Sequence, residues 1–345
     1  MACLPFRLLR SAALATVLMA QFASCASPEP PVSTPWPAAA CTALEFSPDA
    51  TRLAMGDQSG TIRILDLATS RSVVSLRPGG GPVWLLRWSP DGRWLAFGDQ
   101  QTGLAVIEPG RTPIHPRALA RVSERERLVG DFNTSGTLFA AGGSKTPLRV
   151  WRLPSGTEVF TGQPGEGIES LAFSPSGDEL AVGMKPPRIE VRVLSTSDWT
   201  PRATMVTSPG RVFYRADGAL QLLRDERHIW YVRLLRAPGA PYQPFDSYKP
   251  LTGERVPGFP QFCSTLAVSR DGSAYVLVAG INGFLSASRF GDPGDPVRVT
   301  SPTPVTAVAI SPDGRHWAAG CQDGTLRTGE LPARKEDGGA GDSTE

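Results

Sequence analysis

A hairpin that recurs about every 42 residues constrains the fold of this chain more than any other feature. In its clearest copy, Trp84–Asp99, an alternating apolar run ends at Trp88, Ser-Pro-Asp-Gly follows, and a second apolar run leads to Gly98. Proline presets φ for a tight turn, aspartate caps the turn, and glycine takes the positive φ that reverses the strand. A single hairpin cannot bury its apolar face, so the copies must pack on one another.

Seven copies align on the last apolar residue before the turn, which is Phe46, Trp88, Phe132, Phe173, Tyr214, Val268 or Ile310. Neighbouring anchors are 41 to 54 residues apart. Glycine stands four residues after the anchor in six copies, with Ala50 as the exception, and ten residues after it in five copies. Strand-rich units of this period predict a β-propeller.

The third strands of several copies carry a resemblance to a known family. Phe-Ser-Pro-Asp from Phe46, Leu53-Ala-Met-Gly56 and Gly60-Thr-Ile-Arg-Ile-Leu-Asp66 are similar to the WD40 repeat, and so is the last copy, Ala309–Arg327. The resemblance implies an all-β fold, a seven-bladed β-propeller of four-stranded antiparallel blades, over residues 39–331. The Gly-His pair of the family is missing and its Trp-Asp pair is degenerate. We therefore expect stability to come from apolar packing between blades.

Ring closure requires a fourth strand for the last blade, because the third strand of copy seven ends near Leu331. We expect residues between Pro31 and Ala38, Trp36 among them, to pair with that third strand. The Gly-rich polar tail, 332–345, is predicted to be disordered. The spacing of 54 residues between Tyr214 and Val268 predicts a long loop inside Ala237–Pro260.

The N-terminus has the pattern of an export signal. Arg7 and Arg10 precede an apolar run that ends at Ala23, which predicts a signal peptide over residues 1–24. The segment Phe22-Ala23-Ser24-Cys25 resembles the lipobox of bacterial lipoproteins, which implies acylation of Cys25 and an outer-membrane location. The alternative is cleavage after Ala26, which would leave a periplasmic or secreted protein. Residues 25–38 are Pro-rich and predict an extended tether.

The net charge argues against nucleic acid as a partner. Removal of residues 1–24 leaves 33 basic and 33 acidic residues. A neutral chain lacks the broad basic surface that releases counterions from many phosphates. We therefore expect contact with a membrane only through a lipid anchor.

The sequence carries no motif for catalysis, a metal or a cofactor. The histidines, His115, His228 and His316, lie in different repeats and have no second ligand at metal spacing. No nucleophile elbow and no phosphate loop are present. We expect a non-catalytic protein without a cofactor.

The cysteines of the propeller have two interpretations. Cys41 and Cys263 stand five residues before their anchors, where other copies have Val83, Ile168 and Val305, which predicts buried apolar side chains. In a closed ring, Cys321 at the end of the second strand of copy seven would lie near Cys41, so a Cys41–Cys321 disulfide is the alternative in an oxidising compartment.

The residues that enter the first strands are candidates for a binding rim. We single out Trp84, Arg127, Glu169 and Arg211, because they mix charge and aromatic character as recognition surfaces do. Thr42, Leu128 and Ser264 occupy the same place in other copies. The alternative is a solvated rim without a partner. Trp88, Trp94, Trp151, Trp230 and Trp317 are expected to pack between blades.

Together these features predict a monomeric scaffold of the bacterial cell envelope that binds a protein or peptide. Two alternatives stay open. One is a TolB-like envelope propeller, whose repeats also carry Ser-Pro-Asp-Gly. The other is a propeller enzyme of the lactonase or hydrolase type, with an active site assembled from dispersed loop residues.

Overall fold

The computed structural model describes residues 32–34, 39–122, 126, 128–186, 188–206, 210–226, 229–241, 254–255, 263–279, 284–290 and 296–331. These residues form seven sheets of four antiparallel strands, the blades of a propeller ring. The predicted fold class is confirmed. The signal peptide, Cys25, Trp36, Arg127, His228 and the tail lie outside the described residues.

The described chain begins with β1 (Val32–Thr34), which belongs to the last blade. The strands of blades 1 to 3 follow in chain order. Blade 1 consists of β2 (Cys41–Phe46), β3 (Arg52–Asp57), β4 (Ile62–Asp66) and β5 (Arg71–Leu76). Blade 2 consists of β6 (Val83–Trp88), β7 (Leu95–Asp99), β8 (Gly103–Ile107) and β9 (Arg117–Ala120). Blade 3 consists of β10 (Val129–Phe132), β11 (Leu138–Gly142), β12 (Arg149–Arg152) and β13 (Thr157–Thr161).

The remaining blades continue the same order. Blade 4 consists of β14 (Ile168–Phe173), β15 (Glu179–Met184), β16 (Glu190–Ser195) and β17 (Pro201–Val206). Blade 5 consists of β18 (Arg211–Tyr214), β19 (Leu220–Glu226), β20 (Ile229–Arg236) and β21 (Glu254–Arg255). Blade 6 consists of β22 (Cys263–Val268), β23 (Ala274–Ala279), β24 (Phe284–Arg289) and β25 (Val297–Thr300). Blade 7 consists of β26 (Val305–Ile310), β27 (His316–Cys321), β28 (Leu326–Glu330) and β1.

The N-terminal strand closes the ring. In β1, Val32 pairs with Thr328 and Thr34 with Leu326, so the first described segment becomes the outer strand of the last blade. This lies within the Pro31 to Ala38 segment for which the sequence predicted such a pairing. The stretch predicted as a long loop contains β21, and its residues 242–253 and 256–260 lie outside the described part of the chain.

The Ser-Pro-Asp-Gly turns follow from local chemistry. In the turn of blade 2, the Ser89 hydroxyl donates to Asp91 and accepts the backbone N–H of Trp94, which holds both strand ends together. Gly92 has a φ of 68°, in the left-handed region. Ala50, the one non-glycine at this position, has a φ of 55°, so the turn geometry is kept where the sequence departs from glycine.

Among the described residues, the core forms seven apolar clusters, each of which joins two neighbouring blades. Between blades 1 and 2, for example, Ile62 and Ile64 pack with Trp88 and Phe97, and all four are buried. Trp94, Trp151 and Trp317 are also buried, as predicted. The structure therefore has the packing between blades that the degenerate repeats led us to expect.

Candidate functional site

The predicted rim residue Trp84 lies half-buried against its own blade. Its ring covers Gly98 so closely that a Cβ on this glycine would overlap with it, and it joins the apolar cluster between blades 2 and 3. The same position carries Thr42 in blade 1 and Thr306 in blade 7. Both hydroxyls lie within hydrogen-bond distance of the first-strand carbonyl of the next blade, Val83 and Cys41 respectively, at 2.5 Å.

The other rim residues lie in different blades. Arg211 Nη1 donates to the carbonyl of Leu266 at 2.5 Å, which connects blade 5 to blade 6. Glu169 is exposed beside the buried Ile168. Arg127 lies outside the described residues. The structure thus gives Trp84 and Arg211 packing and bridging contacts, and a binding role for the rim stays a prediction.

Three charged residues connect the inner strands of blades 1 to 4. Arg87 Nη1 donates to Glu45 at 2.9 Å and its Nε donates to the carbonyl of Gly130 at 3.0 Å. Asp131 Oδ2 accepts the backbone N–H of Phe173 at 2.9 Å. Glu45, and to a smaller extent Asp131, raise the pKa of Arg87 against the effect of burial. The sequence signal was a charge directly before the anchor in three consecutive copies, where Ala172, Ala267 and Ala309 stand in later ones.

Cys41 and Cys321 are both free and buried. The Cys41 thiol lies against Gly320 of blade 7, and burial raises its pKa to about 12. Cys321 lies within 3.4 Å of the hydroxyl of Ser301. The disulfide between the two stays a prediction, and the buried apolar environment expected for Cys41 is present.

A cleft of about 460 Å³ lies between blades 3 and 4. Its floor is apolar, formed by Leu148, Val182, Met184 and Leu194. One end is aromatic, because Phe160 of blade 3 stacks on Trp199 of blade 4 with 5.3 Å between the ring centroids. Sequence reasoning did not single out this cleft, which we call the blade 3–4 cleft.

Trp199 holds an uncommon backbone conformation. Its φ is 62°, in the turn between β16 and β17, and the corresponding turns of blades 1 and 3 place Ser70 and Gly156 in the same left-handed region. For a residue with a Cβ this region costs roughly 1–2 kcal/mol. Asp198 helps to hold the turn by accepting the backbone N–H of Thr200 at 3.1 Å and its hydroxyl at 2.8 Å. The turn therefore directs an indole into the cleft at a cost in backbone energy.

The other end of the blade 3–4 cleft is ionic. Arg192 donates to the buried Glu166 at 2.8 Å and to Glu190 at 2.6 Å, so both sides of its guanidinium are occupied. Arg188 lies exposed at the mouth and makes no ion pair with any described residue. The cleft thus combines an aromatic end, an apolar floor and one cationic group open to solvent.

A second cavity of about 400 Å³ lies between blades 4 and 5. Its wall contains the buried Glu179, whose oxygens accept from Arg236 at 2.9 Å, Arg202 at 3.1 Å and the Tyr214 hydroxyl at 3.1 Å. These partners satisfy the carboxylate within the chain. The arrangement stabilises the contact between two blades and offers a ligand less than the first cleft does.

Among the described residues, no group of three or more His, Cys, Asp or Glu side chains is placed to hold a metal ion. His316 lies 3.5 Å from Glu330, and His115 is exposed. The part of the chain that the structure describes has no helix with the length and hydropathy needed to cross a membrane.

Comparisons with known proteins agree with this geometry. The family model described as WD domain, G-beta repeat matches residues 294–328, which lie largely in blade 7. The β-propeller domain of Cps50 (Swd1) from Myceliophteria thermophila is similar to this chain with a TM-score of 0.67 and 16% sequence identity. The similarity covers 87% of this chain and 100% of that domain. These comparisons show a seven-bladed propeller fold with one stretch that matches the WD40 repeat.

Proposed function

We propose that this chain is an exported, lipid-anchored propeller that serves as a non-catalytic protein-interaction scaffold of the bacterial cell envelope. Its export and anchoring rest on the N-terminal sequence, where two arginines and an apolar run precede Cys25. Two acyl chains and a proline-rich tether would hold the ring at a membrane surface while leaving its faces accessible.

The scaffold proposal rests on a difference between two sets of positions in the ring, those that recur between copies and those that differ. Positions that recur between copies form turns or contacts between blades, as Gly92 and Gly320 do. Several positions that differ between copies reach the surface with distinct chemistry, as Glu169, Arg188 and Trp199 do. A rigid ring whose variable positions face outward is suited to hold partners in fixed places.

Metabolic labelling with radioactive palmitate tests the anchor. We expect the full chain to incorporate label in a bacterial host, and Cys25→Ser to lose it because the acylated sulfur is gone. Cys3→Ser, which changes a cysteine inside the signal peptide, is the matched control and should keep the label. Labelling that survives in Cys25→Ser would contradict the lipid anchor and favour cleavage after Ala26.

Affinity purification from intact envelopes tests the scaffold and its rim. We compare wild type with Glu169→Lys, which changes an exposed rim residue, and with a variant altered at Trp84, Arg127 and Arg211. Wild type should retain a reproducible set of proteins, part of which the rim variants lose. An unchanged set would count against the rim as the binding surface, and no retained protein would count against the scaffold.

A further inference from the structure

We propose that the blade 3–4 cleft binds an extended segment of a partner polypeptide, which inserts an aromatic side chain beside Trp199 and places an acidic side chain at Arg188. The inference rests on the proposed function only in taking a polypeptide as the partner. It adds a specific contact on the side of the ring to the predicted binding rim.

The length of the cleft fits a short extended peptide. The cleft follows β16, which runs from Glu190 to Ser195, and its lining residues extend from Arg188 at one end to Trp199 at the other. A strand rises about 3.3 Å per residue, so this path accommodates roughly six residues of an extended chain. The exposed outer strand β13 forms the opposite wall and ends at the exposed Thr161.

The aromatic end selects the first side chain. Phe160 and Trp199 are both half-buried, and their rings stack at an interplanar angle of 27°. The comparable turns of blades 1 and 3 have Ser70 and Gly156 at the left-handed position, and neither projects a ring. A stacked pair beside an apolar floor favours a further aromatic ring, because offset and edge-to-face contacts add to the gain from burial.

The ionic end selects the second side chain. Glu166 and Glu190 already occupy Arg192, whereas Arg188 meets no partner among the described residues and lies exposed at the mouth. An acidic side chain therefore complements the one cationic group that is open. A contact of this kind at a rim contributes more to orientation and specificity than to affinity.

Selection of a phage-displayed random octapeptide library on the purified full chain tests the proposal. Two variants change the same kind of backbone position. Trp199→Gly removes the indole and relieves the left-handed strain, so this variant should fold. Ser70→Gly makes the matched change in the turn of blade 1 and leaves the cleft intact. Circular dichroism and thermal unfolding verify that both are folded.

We expect the selected peptides to share an aromatic residue and an acidic residue separated by three to five positions, which is the roughly six-residue reach of an extended strand. Trp199→Gly should weaken their binding by about tenfold or more, as loss of a buried aromatic anchor does, and Ser70→Gly should leave it unchanged. Arg188→Glu should shift the selection toward peptides with a basic residue.

Two results would overturn the proposal. One is a selection without any shared sequence, and the other is a set of peptides that binds Trp199→Gly as tightly as wild type. Retention of envelope proteins by wild type is measured separately. If those proteins persist while either result is found, the cleft proposal fails and the scaffold stands.

Discussion

Two interfaces between blades differ in how completely the chain fills them. Between blades 7 and 1, Gly320 lies against Cys41, the Thr306 hydroxyl bonds across the gap, and β1 pairs with β28 to complete the ring. Between blades 3 and 4, buried apolar side chains fill the inner part, but the outer part opens into the cleft bounded by Phe160 and Trp199. The first interface is filled by a glycine that recurs in five copies and by small side chains, and the second adds Trp199, a large residue where other copies have a small one.

This difference indicates how a repeat protein separates stability from recognition. Small or hydroxylated side chains at the contacts let neighbouring blades approach closely, and a change of volume there disturbs a close-packed interior. Trp199 stands at a left-handed turn position where other copies have a small residue. Its backbone conformation lowers the stability of the fold, and its side chain changes the surface. Four predictions test this contrast.

The largest expected effect concerns the cysteines of the closure interface. Burial raises the pKa of Cys41 to about 12 from a usual value of 9.0, so the thiol stays protonated and unreactive at pH 8. We expect Cys41 to resist iodoacetamide in the folded protein and to react after denaturation in urea, as measured by mass spectrometry. Failure to react after denaturation until a reductant is added would instead show a Cys41–Cys321 disulfide.

The second prediction compares two glycines at the same position of different copies. A Cβ at Gly320 would meet the Cβ of Cys41 at 2.5 Å, whereas at Gly142 it would meet the flexible end of Ile168 at 2.5 Å. We expect Gly320→Ala to lower the free energy of unfolding by about 2–3 kcal/mol and Gly142→Ala by about 1 kcal/mol. Urea denaturation measures the free energy of unfolding of both variants. Equal losses would contradict the claim that the interface between blades 7 and 1 leaves less room for a side chain.

The third prediction removes a hydroxyl from each interface. Thr306→Val deletes the bond to Cys41 O across the interface between blades 7 and 1, which should lower the free energy of unfolding by about 1–2 kcal/mol. Thr161→Val at the exposed wall of the cleft serves as the control and should change it by less than about 0.5 kcal/mol. Thermal unfolding of the two variants measures their stability. A larger loss of stability in Thr161→Val than in Thr306→Val would contradict the structural role given to the Thr306 hydroxyl.

The smallest effect is the pH dependence of the turn that carries Trp199. Thr200, through its backbone N–H and its hydroxyl, lowers the pKa of Asp198 in the folded protein. A depressed pKa stabilises the fold above the unfolded value of about 3.9, and the contribution is lost as pH falls through the folded value. The stability difference between wild type and Asp198→Asn should therefore shrink between pH 6 and pH 3. A constant difference would show that the carboxylate charge does not support the turn.

The sequence predicted the ring well because each copy carries its own turn and strand residues and the copies recur at a regular spacing. Each Ser-Pro-Asp-Gly turn requires its own residues, and the spacing between anchors counts the blades. The closing strand also followed from the missing fourth strand of the last copy. These inferences needed no knowledge of which side chains meet across blades.

The candidate site was less accessible to sequence reasoning. Phe160 belongs to blade 3 and meets Trp199 of blade 4 only through the packing of the two blades. Trp84 resembled a surface anchor, yet the glycine at position 98 lets its ring lie flat on the strand. One signal for the cleft was available in the turns between the third and fourth strands. Trp199 is a large residue at a turn position where Ser70 and Gly156 are small.

Site-specific photo-crosslinking in living bacteria tests the central claim most directly. Benzoylphenylalanine is incorporated at Thr161, on the wall of the blade 3–4 cleft, or at Val73, an exposed position on the outer strand of blade 1. We predict a crosslinked protein partner at Thr161 that disappears when Trp199→Gly is added, and none at Val73. Crosslinks of equal yield at both positions, or at Thr161 regardless of Trp199, would contradict a partner held in the cleft.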